Sequence, residues 1–105
     1  MKYKVLRTDT ADSLIHNIIL YIAEYFGNEV ALEKLEELEE SINKLGDNPD
    51  IGEEPKYSIL RRQGYKVLIL KKDLVFYKVD EEKRIITVYT FVDQRQDYLS
   101  IIRGL

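Results

Sequence analysis

The alternation of apolar and polar positions in the second half of the chain predicts three β-strands. Residues 65–70, 74–79 and 84–92 are rich in Val, Ile, Leu, Phe and Tyr, and each segment has the length of a strand. Only three or four polar residues separate consecutive segments, whereas a parallel crossover needs a dozen or more. We therefore expect the three strands to form an antiparallel meander.

The first half predicts one short strand followed by two helices. Residues 2–7 are expected to add a strand to the same sheet, and the short oxygens of Thr8, Asp9 and Thr10 suit a helix start. Gly27 should separate the helices, and Gly46 falls where a left-handed cap would end the second. Apolar residues at three- and four-residue steps predict one buried stripe, Leu14, Ile15, Ile18, Ile19, Ile22 and Phe26, and a narrower seam, Ala31, Leu35, Leu38, Ile42 and Leu45.

Three further segments carry weaker patterns. Residues 47–55 contain both prolines and four acidic residues, so they are expected to form a loop from the helices to the sheet. Residues 57–64 predict either a short extra strand or an irregular approach to the sheet. Residues 99–105 are compatible with one helical turn or with a tail. The predicted fold class is α+β, with a two-helix hairpin packed on a mainly antiparallel four-stranded sheet.

Composition restricts the class of protein further. With 105 residues, the chain is expected to form one domain, residues 1–105, that needs no metal or disulfide support. It contains no cysteine, which excludes a disulfide scaffold and a thiolate zinc site. The first residues lack the apolar core of a signal peptide, and no run of eighteen apolar residues occurs. We therefore expect a cytoplasmic protein without a membrane partner.

The charge is distributed unevenly along the chain. The net charge of −3 argues by itself against nucleic acid as a partner. However, residues 1–55 contain five basic and thirteen acidic residues, whereas residues 56–78 contain seven basic and one acidic residue. Acidic helices combined with a basic sheet can still present one positive face.

Few residues carry recognisable chemistry. His16 is the only histidine, and no metal-ligand spacing, phosphate loop or nucleophile elbow is present, so no metal or cofactor is predicted. The glutamates of the second helix are expected to form a solvated face. The basic residues either keep a sheet edge soluble or form a binding surface. They are Lys56, Arg61, Arg62, Lys66, Lys71, Lys72, Lys78 and Arg95.

The order of these elements, together with the sequence motifs of the C-terminal half, resembles that of the RelE/ParE toxin family of bacterial toxin–antitoxin and plasmid stabilisation modules. The resemblance covers nearly the whole chain. Its most specific parts are the sequence YKVD at residues 77–80 and the pattern of Arg95, Asp97 and Tyr98 directly after the last strand. It implies a growth-arresting toxin that is held inactive by a cognate antitoxin, whose acidic segment would cover the sheet and the region of Arg95.

The resemblance implies two alternative activities. RelE-like members are mRNA interferases, endoribonucleases that cut mRNA on the ribosome, and by this reading Arg95 and Lys71 or Lys72 would stabilise the phosphorane while Tyr98 transfers a proton. The residues that would hold the RNA backbone are Arg61, Arg62, Lys66 and Lys78. No metal or other cofactor is implied.

ParE-like members instead poison DNA gyrase and have no hydrolytic site. Asp93 stands where many RNase relatives have a histidine, and the chain is acidic, so the gyrase alternative remains open beside a slight preference for the RNase. A third alternative, motivated by Asp93, is an inactivated member that acts only by binding the antitoxin.

Overall fold

The computed structural model describes residues 2–93 of the chain, and Asp93 by its backbone alone. In chain order the elements are β1 (Lys4–Arg7), α1 (Asp9–Phe26), α2 (Asn28–Asp47), α3 (Ser58–Arg62), β2 (Lys66–Ile69), β3 (Asp73–Asp80) and β4 (Ile85–Asp93). The predicted α+β class is confirmed. None of the described helices is long and apolar enough to cross a lipid bilayer.

The four strands form one mixed sheet in the order β1-β4-β3-β2. The predicted meander is confirmed, because β2 pairs with β3 and β3 with β4, both antiparallel. The first strand differs, since β1 lies parallel to β4 and places Val5 opposite Ile86. The helical hairpin follows β1 and supplies the long connection that a parallel arrangement requires.

The helical hairpin covers one face of the sheet. Thr8 caps α1, because its hydroxyl oxygen accepts from the Ala11 N–H at 3.1 Å while the hydroxyl donates to the Tyr89 carbonyl at 3.0 Å. The apolar seam of α2 is buried as predicted except at Leu35, which is half-buried. The prediction for Phe26 is wrong, because this side chain is 64% exposed. It lies at the last residue of α1 and lines an open cleft instead of the core.

Gly46 does not form the predicted left-handed cap. The helix continues through it to Asp47, and Asn48 is the C-terminal cap. Gly46 is buried against β1, where its carbonyl accepts from the Tyr3 N–H at 2.8 Å. A Cβ atom at this position would lie 2.9 Å from the Tyr3 carbonyl oxygen. Glycine is therefore needed here for the close approach of a strand and not for a positive φ.

Tyr77 of β3 anchors the loop that leads from the helices to the sheet. Its side chain is completely buried, and its hydroxyl donates to the Pro49 carbonyl and accepts from the Gly52 N–H, both at 2.9 Å. A Cβ atom on Gly52 would overlap this hydroxyl. One core side chain thus satisfies two backbone groups of a loop that lacks regular structure.

Residues 57–64 form neither of the predicted structures, because their central part is the short helix α3. Leu60 is buried in it, while the Arg61 guanidinium donates to the Pro55 carbonyl at 2.7 Å. This helix packs on the sheet face opposite the hairpin, so both faces carry an apolar cluster. The second cluster consists of Leu60, Tyr65, Val67, Phe76 and Val92.

We predict that Tyr77→Phe lowers the free energy of unfolding by about 1 to 3 kcal/mol, because the Pro49 carbonyl and the Gly52 N–H each lose a partner inside the protein. Chemical denaturation monitored by circular dichroism measures this loss. The matched control is Tyr25→Phe, which removes the hydroxyl of an exposed tyrosine and should leave the stability nearly unchanged. Equal stability of both variants and the parent chain would contradict the anchoring role of Tyr77.

Candidate functional site

A β-bulge in β4 determines which side chains reach the sheet face opposite the hairpin. Tyr77 pairs with Val88 and Phe76 pairs with Thr90, so Tyr89 is an extra residue between the two pairs. Such an insertion places two successive residues of the bulged strand on the same side of the sheet. Tyr89 therefore joins Thr90 on the face of the second apolar cluster, where it packs against that cluster.

Lys78 and Lys66 lie on opposite faces of the sheet, so the structure does not combine them into one RNA-binding surface. The Lys78 ammonium lies over two aromatic rings, 4.5 Å from the centroid of Tyr65 and 5.2 Å from that of Tyr89. Lys66 pairs in register with Tyr77, which points into the cluster under the hairpin. Its ammonium lies 3.5 Å from an Asp50 carboxylate oxygen.

Arg61 and Arg62 occupy the last turn of α3. The guanidinium of Arg61 is engaged by the Pro55 carbonyl, although its side chain remains exposed. Arg62 is also exposed. Two of the four predicted RNA-backbone cations, Lys66 and Arg61, therefore already have oxygen partners in the loop before the sheet.

Lys71 and Lys72 form the turn between β2 and β3, and the end of β4 lies beside this turn. The register pairs Asp73, the first residue of β3, with Asp93, the last residue of β4. The sequence left open whether the last strand ends near the turn or away from it, and the strand order answers this question. Arg95 and Tyr98, the other two predicted catalytic residues, lie outside the described residues.

A cleft of about 380 Å³ separates the Lys71–Lys72 turn from the tip of the helical hairpin. One wall is apolar and includes Phe26 and Val30, which are both exposed. At its base the Lys34 ammonium lies 3.2 Å from the Asp73 carboxylate, and both side chains are largely shielded from solvent. Among the described residues, the cleft is lined by Ile22, Phe26, Val30, Glu33, Lys34, Glu37, Lys71 and Lys72.

The described part of the cleft combines positively charged lysine side chains with an apolar surface. Within residues 2–92, whose side chains the structure describes, neither Lys71 nor Lys72 has a carboxylate within ion-pair distance. No group of three His, Asp or Glu side chains in the same range is arranged to hold a metal ion. The lysines and apolar side chains of the cleft can together bind a segment that carries acidic or phosphate groups next to apolar groups.

Two tyrosines near the sheet have perturbed acidities. Burial raises the pKa of the Tyr65 phenol, and the neighbouring Tyr89 raises it further. Burial also raises the pKa of Tyr77, although the hydrogen bond from the Gly52 N–H acts in the opposite direction. Both phenols are therefore held in the neutral form.

The apolar wall of the cleft was not predicted from the sequence. Phe26 was expected in the core, and no role was predicted for Val30 or Lys34. A signal was present, because Val30 is a large apolar residue outside the predicted seam of the second helix. The pairing of Lys34 with Asp73 joins residues 39 positions apart, which no local pattern reveals.

Comparison with known proteins identifies relatives of the chain. Residues 5–98 match a family model described as the ParE toxin of the type II toxin–antitoxin system, parDE. A structure of a chromosomal ParDE system from P. aeruginosa aligns with a TM-score of 0.72 and 17% identity, covering 88% of this chain and 96% of that one. The RelBE2 toxin–antitoxin complex from Mycobacterium tuberculosis aligns with 0.66 and 17% identity, covering 90% and 100%. No individually curated protein matches significantly in sequence.

We predict that the stability of the fold decreases as the pH rises above about 10, the usual tyrosine pKa. The folded-state pKa of Tyr65 is raised, so its contribution is fully present below the unfolded-state pKa and is lost as the pH rises through the folded-state pKa. Urea unfolding at several alkaline pH values measures this dependence. Tyr65→Phe serves as the comparison and should show a shallower decline. An identical pH dependence in both chains would exclude Tyr65 as a cause.

Proposed function

Because the chain belongs to the ParE toxin family of type II toxin–antitoxin systems, we propose that it arrests growth by binding a protein target and not by cutting RNA. The target implied by the resemblance to ParE-like members is DNA gyrase. In this proposal the toxin stabilises a complex of gyrase with cleaved DNA and has no hydrolytic site of its own. A cognate antitoxin neutralises it.

The dispersal of the basic residues carries this proposal. An endoribonuclease that works without a metal must direct several cations at one phosphorane. Here Lys66 and Lys78 lie on opposite faces of the sheet, and Arg61 is bound to a backbone carbonyl. The rings beneath Lys78 attract its ammonium and so compete with a phosphate. The overall acidity of the chain further weakens binding to ribosomal RNA.

An antitoxin partner fits the cleft between the hairpin tip and the Lys71–Lys72 turn. Both structural neighbours come from toxin–antitoxin systems, and one of them is described as a toxin–antitoxin complex. An antitoxin segment with apolar and acidic side chains would place the former on Phe26 and Val30 and the latter beside Lys71 and Lys72. A segment of this kind can fold as it binds.

A second candidate function is ribosome-dependent cleavage of mRNA, and the position of the last strand favours it. Asp93, the last residue of β4, lies beside the Lys71–Lys72 turn, and Arg95 is two residues further along the sequence. In this mechanism Arg95 and one of the two lysines would stabilise the phosphorane, and Tyr98 would transfer the proton. No metal would be required.

We predict that the purified chain, incubated with gyrase, ATP and supercoiled plasmid, causes linear DNA to accumulate after denaturation of the enzyme. Bound toxin would hold gyrase in its DNA-cleaving state, so the amount of linear DNA should rise with toxin concentration. Prior addition of the antitoxin should prevent it. The same reaction without gyrase serves as the control. Unchanged plasmid at saturating toxin would contradict the gyrase proposal.

The RNase alternative makes a separate prediction for substitutions. If the chain cuts mRNA on ribosomes, then Arg95→Ala and the double variant Lys71→Ala, Lys72→Ala should each slow cutting by about 100-fold or more, since charge stabilisation of the phosphorane is lost. Primer extension on translated mRNA measures the cuts. Lys66→Ala is the matched control, because its ammonium already faces Asp50. Absence of cuts with the parent chain would remove this alternative.

A further inference from the structure

The cleft between the hairpin tip and the Lys71–Lys72 turn has opposite charges on its two sides. On the hairpin side, Val30, Glu33 and Glu37 of α2 line the cleft. They follow one another at steps of three and four residues, so they lie on one side of the helix. The turn forms the other side. We call Glu33 and Glu37 the glutamate wall and the two lysines of the turn the lysine wall.

The two glutamates have no cation of their own in the described part of the chain. Glu33 and Glu37 are exposed, and no Lys, Arg or His lies within ion-pair distance of either among residues 2–92. Lys34 lies between them in the sequence, but its ammonium contacts the Asp73 carboxylate at 3.2 Å. Like charges four residues apart destabilise a helix. A cation from a partner would therefore relieve a repulsion that the chain leaves in place.

The two walls face each other across the cleft without pairing. Among the described side chains, no ion pair joins the glutamate wall to the lysine wall, and a volume of about 380 Å³ lies between them. A charged group that enters this space is attracted by one wall and repelled by the other. The cleft thus favours a segment with acidic groups on one side and basic groups on the other, and it disfavours the reverse orientation.

We propose that the cleft binds an antitoxin segment that directs acidic side chains to the lysine wall, basic side chains to the glutamate wall and an apolar side chain to Phe26 and Val30. This inference rests on the antitoxin placement proposed above and adds the basic side of the segment. Glu33 and Glu37 lie about 5 and 10 Å beyond Val30 along α2, from the rise of 1.5 Å per residue. The basic side chains should therefore lie within about three residues of the apolar one in an extended segment, or about seven in a helix.

One charge reversal separates this proposal from simple attraction between an acidic antitoxin and the lysines. The double variant Glu33→Lys, Glu37→Lys makes the toxin more positive, so simple attraction would strengthen antitoxin binding. The proposal predicts the opposite, a dissociation constant that is higher by about tenfold or more, because the basic side of the segment would then face two lysines. Lys71→Glu, Lys72→Glu should weaken binding by a similar factor.

Isothermal titration calorimetry of the full chain with its purified cognate antitoxin measures these dissociation constants. The matched control is Glu36→Lys, Glu40→Lys, which changes two exposed glutamates of the same helix, at the same spacing, that do not line the cleft. This control makes the same change in net charge and should bind at least as tightly as the parent. Circular dichroism before each titration establishes that the variant is folded.

A compensating change in the antitoxin tests the basic side of the segment. Each Lys or Arg of the antitoxin is replaced in turn by Glu, and each product is titrated against the Glu33→Lys, Glu37→Lys toxin. At least one replacement should bind this toxin more tightly than the parent antitoxin does. A purely structural defect in the toxin variant would not be rescued in this way.

Three results would overturn the proposal, and they differ in what they leave in place. Equal or tighter binding by Glu33→Lys, Glu37→Lys, with weaker binding after reversal of the lysine wall, would remove the basic side and keep the antitoxin in the cleft. No effect of either reversal would remove the antitoxin from the cleft. Loss of growth arrest by Glu33→Lys, Glu37→Lys with unchanged antitoxin binding would assign the glutamate wall to the target. The plasmid assay tests the gyrase proposal separately.

Discussion

The burial of Tyr77 beneath the hairpin is the constraint on which the rest of the structure depends. This ring lies in the middle of β3, and its hydroxyl holds the loop that returns the chain from α2 to the sheet. The position of that loop determines where α3 packs and where β2 begins. The side of the sheet on which each lysine lies follows from the same register, since Lys66 is opposite Tyr77 and Lys78 is the next residue after it.

This register has a direct consequence for function. A tyrosine that points into the core sends its neighbour Lys78 to the opposite face, where two aromatic rings receive the ammonium. The basic residues that cluster in the sequence are thereby separated in space. The cations without carboxylate partners among the described side chains of residues 2–92 include Lys71 and Lys72, which lie at the end of the sheet beside an apolar wall. Such a surface suits a protein segment better than an RNA backbone, which requires several cations on one side.

The parts of the fold that follow from periodicity were predictable from the sequence, and the parts that depend on contacts between distant residues were not. Apolar residues recur every second residue in the three strands of the meander and every three to four residues in the seam of α2, and these spacings predict the elements. The parallel placement of β1, the bulge at Tyr89 and the helical conformation of Gly46 depend on tertiary packing instead. The candidate site divides in the same way. Lys71 and Lys72 were identified, whereas the apolar wall and the separation of Lys66 from Lys78 required the sheet register.

In the proposed function this toxin acts through a protein target and leaves RNA intact. Pulse labelling of growing bacteria after induction of the chain alone tests it most directly, with DNA synthesis and protein synthesis followed separately during the first minutes. We expect that DNA synthesis declines first while translation continues and messages stay full length. An early loss of translation together with mRNA cut in coding frames would contradict it.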